Sequence, residues 1–229
     1  MDDNTFGVFN PATGQWYLDN GNGKWDGCIS GVPTTTQDQC LGQFGLPGDI
    51  PVTGDWDGID GQVTVGVYRR IPNSSTNDQF LLTNRTSGPT VDRIFATGPG
   101  TFNYQPVVGD WNGNGLVGVG VYRPSTGTFY FKNYFTTGPM NTKSYMVNPA
   151  TYSVRPVVGQ WTGSGTKTQT GLYAYSGPPG KQYPYWYLDN GSRTYPSCRE
   201  NQCYLFYPPG TNTATLIPAT FGPSKVKGN

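Results

Sequence analysis

The sequence predicts an all-β protein, a β-propeller-like array of about four blades in which one blade is incomplete or shared between the termini. Three observations predict it. Glycine and proline, 33 and 20 of the 229 residues, fall between short β-branched and aromatic runs such as Val65-Gly66-Val67-Tyr68 and Thr128-Phe129-Tyr130-Phe131. Such punctuation belongs to many short strands joined by tight turns. No window of helical length keeps a helical apolar period, so helix is expected to be nearly absent. Finally, one composite phrase occurs three times: Pro-Val-x-Gly-(Asp/Gln)-Trp-x-Gly, a short polar loop, then Gly-(Val/Leu)-Tyr, beginning at Pro51, Pro106 and Pro156.

The tryptophans of the phrase are Trp56, Trp111 and Trp161, and its tyrosines are Tyr68, Tyr122 and Tyr173. Their spacing is that of propeller blades of about 50–55 residues. Large rings recurring at this period are expected to fill the space between sheets, where each buries much apolar area. After the tyrosine comes a turn and an aromatic strand. Pro124-Ser125-Thr126-Gly127 leads into Phe129-Tyr130-Phe131, and Ser176 to Gly180 leads into Trp186-Tyr187-Leu188, a hairpin signal. At the start, Phe6-Gly7-Val8-Phe9, Pro11-Ala12-Thr13-Gly14 and Trp16-Tyr17-Leu18 match only the second half of the phrase. One domain over 1–229 is therefore expected, divided into a half-unit 1–40, repeats 41–98, 99–148 and 149–214, and a C-terminal half-unit 215–229. Ala219-Thr220-Phe221-Gly222 resembles the Gln43-Phe44-Gly45 lead-in to the first full copy, yet no Gly-Asp-Trp follows it. The spare strand edge this leaves is expected to be covered, because bare edges invite pairing. The tail, a longer parent chain or a neighbouring subunit could each cover it.

Charged residues are 13% of the chain and the net charge is +1. That leaves no electrostatic footprint for nucleic acid or an anionic membrane surface. No apolar stretch is long enough to span a membrane, and Met1-Asp2-Asp3-Asn4 lacks the features of a signal peptide, so a mature, trimmed or recombinant start is expected. Four cysteines form two sequence-local pairs, Cys28 with Cys40 and Cys198 with Cys203. Three connectivities are open in principle. Local pairing is favoured because the same words precede both pairs, Trp16-Tyr17-Leu18-Asp19-Asn20-Gly21 and Trp186-Tyr187-Leu188-Asp189-Asn190-Gly191. The spacing and the absence of histidine fit zinc poorly, and disulfides imply an extracellular compartment, secreted or at the cell surface. Asn73, Asn84 and Asn190 head glycosylation sequons.

The run Phe44-Gly45-Leu46-Pro47-Gly48-Asp49-Ile50-Pro51-Val52, followed by Gly54-Asp55-Trp56-Asp57-Gly58 and Gly66-Val67-Tyr68-Arg69, resembles the FG-GAP/VCBS-type repeats, which include the integrin α-chain propeller repeats. The likeness covers about three quarters of the chain and is weakest at 22–39 and 195–210. It implies a β-propeller, an extracellular location and, in some loops, calcium. It implies a particular task only weakly, because such propellers serve adhesion, assembly and accessory roles.

Calcium takes six to eight oxygens, and alternate carboxylates in a tight loop supply them from one side. The first loop offers Asp55, Asp57 and Asp60, the second Asp110, Asn112 and Asn114, and the third only Gln160, Thr162 and Ser164, read as metal-free. The bland reading of all three is turns whose side chains bond their own backbone. Aromatics outside the repeat, Trp25, Tyr183, Tyr185, Tyr195, Tyr204, Phe206 and Tyr207, are candidates for a glycan, against ordinary loop packing or a subunit contact. Without histidine there is no Ser-His-Asp or Cys-His arrangement, and Glu200 is the single glutamate, so a glycosidase pair would need aspartates that lie in turns. The chain is thus expected to be a non-enzymatic extracellular structural or adhesion module, self-assembling head to tail through incomplete terminal blades. The alternatives are a carbohydrate-binding propeller and an accessory targeting domain of a larger secreted hydrolase.

Overall fold

The computed structural model describes residues 7–20, 22–30, 37–59, 63–85, 87–133, 140–144, 153–160, 167–176, 183–189 and 202–205. These residues form β-strands grouped into four sheets of four, with two short 3-10 turns at Gly100–Phe102 and Pro124–Thr126. The first sheet contains β1 (Gly7–Asn10), β2 (Gln15–Leu18), β3 (Cys28–Ser30) and β4 (Asp38–Gln43) in the order β1-β2-β4-β3. The second contains β5 (Ile50–Gly54), β6 (Thr64–Arg69), β7 (Asn77–Leu82) and β8 (Arg93–Pro99). The third contains β9 (Gln105–Gly109), β10 (Gly118–Arg123), β11 (Thr128–Lys132) and β12 (Asn141–Ser144), and the fourth β13 (Ser153–Gly159), β14 (Gln169–Ser176), β15 (Tyr183–Leu188) and β16 (Gln202–Leu205). Sheets two to four are antiparallel meanders in chain order.

The tryptophan-loop-tyrosine phrase fixes a common register. It forms the first two strands of each of these three sheets, with Pro51 opposite Val67, Pro106 opposite Val121 and Pro156 opposite Leu172. The next pairing puts Tyr68 opposite Phe80, Tyr122 opposite Phe129 and Tyr173 opposite Trp186. In the first sheet Phe9 faces Trp16 and Val8 faces Tyr17. β1 is therefore the counterpart of β6, β10 and β14, and the strand that would correspond to β5, β9 and β13 does not lie beside it among the described residues. Residues 1–40, read as a half-unit, supply β1, β2, β3 and the start of β4, with β3 in the cysteine loop pairing in parallel with β4. β4 runs past residue 40, carried by β2 pairing as far as Gln43.

Three apolar layers join successive sheets. Trp16, Phe44 and Leu41 meet Val65, Val67 and Leu81. Trp56, Tyr68, Phe80 and Leu82 meet Val117, Val119 and Val121. Trp111, Tyr122 and Phe129 meet Val154, Val158 and Leu172. In each case the aromatic side of one sheet covers the aliphatic side of the next. This is why Thr64 to Tyr68 of β6 are buried without alternation: a central strand packed on both faces reads as a continuous apolar run. Trp56 and Trp111 lie in these layers as the sequence led us to expect, and Trp161 is outside the described residues.

Candidate functional site

The Asp loops leave the first strand of the second and third sheets and return on the second. In the third sheet Asp110 Oδ1 accepts the backbone N–H groups of Gly113 at 2.7 Å and Asn114 at 3.2 Å, and Oδ2 accepts that of Gly115 at 2.7 Å. Asn112 and Asn114 act likewise two residues on, toward Asn114 and Leu116. In the second sheet Asp55 Oδ1 accepts Gly58 N–H at 2.7 Å and Asp57 Oδ1 accepts Ile59 N–H at 3.0 Å, while Asp60 lies outside the described residues. A short acidic side chain that bonds its own loop backbone is the chemistry of an Asx turn. No group of three His, Cys, Asp or Glu side chains placed for a metal ion occurs among the described residues.

These loops also clasp neighbouring sheets. Val117 N–H donates to the Asp55 carbonyl at 3.2 Å, and Thr168 N–H donates to the Asp110 carbonyl at 2.6 Å. Asp110 N–H returns a bond to Thr168 Oγ1 at 2.9 Å. Gly58 belongs to this contact, since its φ of 65° suits glycine and a Cβ there would collide with the Leu116 side chain.

Other acidic residues, not singled out from the sequence, hold turns. Asp49 takes a two-pronged bond from Arg69, Nε to Oδ1 at 3.0 Å and Nη2 to Oδ2 at 2.7 Å, and also accepts Leu46 N–H. The bond that Arg69 donates to Asp49 pushes the Arg69 pKa up. Asp38 accepts the backbone N–H groups of Asn20 and Asp26, and Asp19 that of Gly23, which orders the loop between β2 and β3. Their signal was a buried strand-end carboxylate, invisible without knowing which residues are inside. Asp78, fully buried in β7, accepts Tyr68 Oη at 3.0 Å and Ile71 N–H at 2.7 Å. Burial, with the Asp78 charge beside it, raises the Tyr68 pKa. Burial alone pushes Tyr122 up to about 12.

Cys28 and Cys40 are joined by a disulfide, their Cα atoms 5.3 Å apart. Cys203 lies on β16 opposite Tyr187, and Cys198 is outside the described residues. Trp25 is 60% exposed, with its ring edge-on to Tyr17 at 5.7 Å. The backbones of Tyr183 and Tyr185 lie on β15 and that of Tyr204 on β16, while Tyr195, Phe206 and Tyr207 are outside the described residues. Asn73 is exposed with a φ of 58°, Asn84 donates its N–H to Asp92, and Asn190 is outside the described residues. The Asn84 bond is the main reason the Asp92 pKa is lowered.

What stands apart is the outer face of the first sheet. Val8 is 62% exposed, whereas its register counterparts Val67, Val121 and Leu172 are at most 1% exposed. Val8 faces Tyr17 across the hairpin, and Tyr17 touches Trp25, so the three form one apolar surface. No helix among the described residues is long and apolar enough to cross a membrane. The chain matches no protein-family model, no curated protein and no solved structure.

Proposed function

We propose that the four sheets are blades of an extracellular, disulfide-stapled β-propeller-like module with no catalytic role, which makes protein–protein contacts and assembles head to tail with copies of itself. The observation that carries this reading is the exposure of Val8. Each corresponding aliphatic position in the other three sheets is sealed by the sheet before it. The same chemistry at the first sheet offers a surface for an added copy, since an open strand edge beside exposed apolar side chains is a site for pairing. A heterologous contact of that kind builds rings or filaments. The Cys28–Cys40 disulfide supports the extracellular setting.

Sedimentation velocity over a range of concentrations tests the reading. The native chain is expected to assemble as concentration rises, and Val8→Asp to remain monomeric. Monomers at every concentration for the native chain would refute it. Calcium is a separate part of the proposal and is assigned to the first loop, Asp55, Asp57 and Asp60, because it offers three carboxylates where the second loop offers one. Calorimetric titration should give heat with the native chain and less with Asp57→Ala; equal heats would remove calcium from the account.

A further inference from the structure

β6, β10 and β14 each have a partner on both edges, while among the described residues β1 pairs with β2 alone. The missing partner has a definable register. Proline recurs opposite Val67, Val121 and Leu172. Having no N–H, it suits a position outside the hydrogen-bonded pairs of an edge strand. The ladder bonds then fall to the residues on either side, which in β1 are Gly7 and Phe9. The glycine slot is marked too. A Cβ at Gly66, Gly120 or Gly171 would lie 3.0, 3.1 and 3.1 Å from Cγ2 of Val52, Val107 and Val157 respectively, whereas at Gly7 it would meet only atoms of Leu18 and Tyr17. The edge of β1 therefore lacks a strand with proline opposite Val8 followed by an aliphatic residue opposite Gly7, the feature shared by Pro51-Val52, Pro106-Val107 and Pro156-Val157.

The chain contains a further segment of that form. Set on a different frame from the one that matches Phe221-Gly222 to Phe44-Gly45, Ile217-Pro218-Ala219-Thr220 repeats Ile50-Pro51-Val52-Thr53 with one change, valine to alanine, and lies outside the described residues. Building on the head-to-tail reading, we propose that Leu216 to Thr220 of a second copy is the strand that β1 accepts, antiparallel, with Pro218 opposite Val8, Ala219 opposite Gly7 and Ile217 opposite Phe9. The length of chain beyond β16 favours a second copy as the source. The segment begins ten residues beyond β16, whereas the connectors into β5, β9 and β13 have six, five and eight, so it has more reach than a step between adjacent sheets requires. Main-chain pairing along an edge gives the affinity, and the side-chain slots give the register.

The test mixes two full-length variants, Val8→Cys and Pro218→Cys, under mild oxidation. The paired positions would sit at a separation a disulfide can bridge. Loss of both monomers into a heterodimer, with the 8–218 link identified by mass spectrometry, is the expected result. No heterodimer on mixing would overturn the proposal, as would a chain carrying both cysteines that closes only on itself. Full-length Ile217→Asp separates the two ideas. If it assembles like the native chain, the donor assignment falls and the assembly reading stands. If the native chain never assembles, the assembly reading itself falls.

Discussion

Replacing Tyr68 by Phe and, separately, Tyr122 by Phe deletes the same hydroxyl from two strands in the same register, with opposite expected results. Both residues are fully buried, and their rings pack alike, 4.8 Å between centroids, on Phe80 and Phe129. They differ two residues before that partner ring, where β7 has Asp78 and the third sheet has Gly127. Tyr68 Oη accordingly donates to Asp78 at 3.0 Å, while Tyr122 Oη meets no hydrogen-bond partner among the described residues. A hydrogen bond to a charged group contributes about 1.5–3 kcal/mol, and an unpaired buried polar group costs about 1–3 kcal/mol. Asp78 keeps the Ile71 amide at 2.7 Å, so Tyr68→Phe should lose about 2 kcal/mol and Tyr122→Phe should lose nothing or gain about 1 kcal/mol. For a chain of this size that lowers Tm by roughly 4–8 °C in the first case and leaves it level or raised by up to about 4 °C in the second. Guanidinium unfolding followed by tryptophan fluorescence, with calorimetry for Tm, measures both. Equal losses in the two variants would refute the reasoning.

Stability should fall as pH rises above about 10, because the folded chain keeps phenol protons that the unfolded chain releases. For Tyr122 the window runs from 10 to about 12, and Tyr68 extends the fall to higher pH. The double Phe variant should lose up to about 1.4 kcal/mol per pH unit of that slope for each tyrosine removed, read from denaturation curves at stepped alkaline pH; an unchanged slope would contradict it. Gly58→Ala should destabilise by about 2 kcal/mol or more through its left-handed backbone and the Leu116 collision. Adding Leu116→Ala should restore part of that loss if the collision is real. Reducing the Cys28–Cys40 disulfide, or replacing both cysteines by serine, should lower stability by about 3 kcal/mol, since it frees a loop with a sequence separation of 12; an unchanged melting curve would refute this by showing that the β3–β4 pairing and the Asp38 bonds hold the loop without the disulfide.

The strand pairs were legible because their cause is local. Alternating small and aromatic residues about a Gly-containing turn specify register without reference to anything distant. So the hairpin of Tyr122 and Phe129 was marked by Pro124 to Gly127, whereas Phe80 lies beyond a longer turn without glycine and had no such mark. Burial was less legible. Val8 and Val67 sit in the same local phrase, and only the presence of a preceding sheet distinguishes them. The candidate loops carried the right residue types at Asp55 and Asp110, but which loop amides bond those carboxylates depends on the turn geometry and not on residue type. β3 escaped altogether: it lies in the cysteine loop, where the repeat gives no guide, and its parallel pairing with β4 follows from where Cys28 and Cys40 meet. Asp78 is a third case, a charge inside a strand whose acceptor role depends on a tyrosine ten residues away.

The clasps from the Asp55 and Asp110 carbonyls are made of main-chain atoms, which every amino acid carries. Their donors, at positions 117 and 168, can thus be occupied by residues as unlike as valine and threonine while the seam between sheets is stitched in the same way. The substitution such a stitch refuses is proline, which has no hydrogen to give. A chain built so can vary its loop side chains widely without unpicking the joins that keep its layers in step.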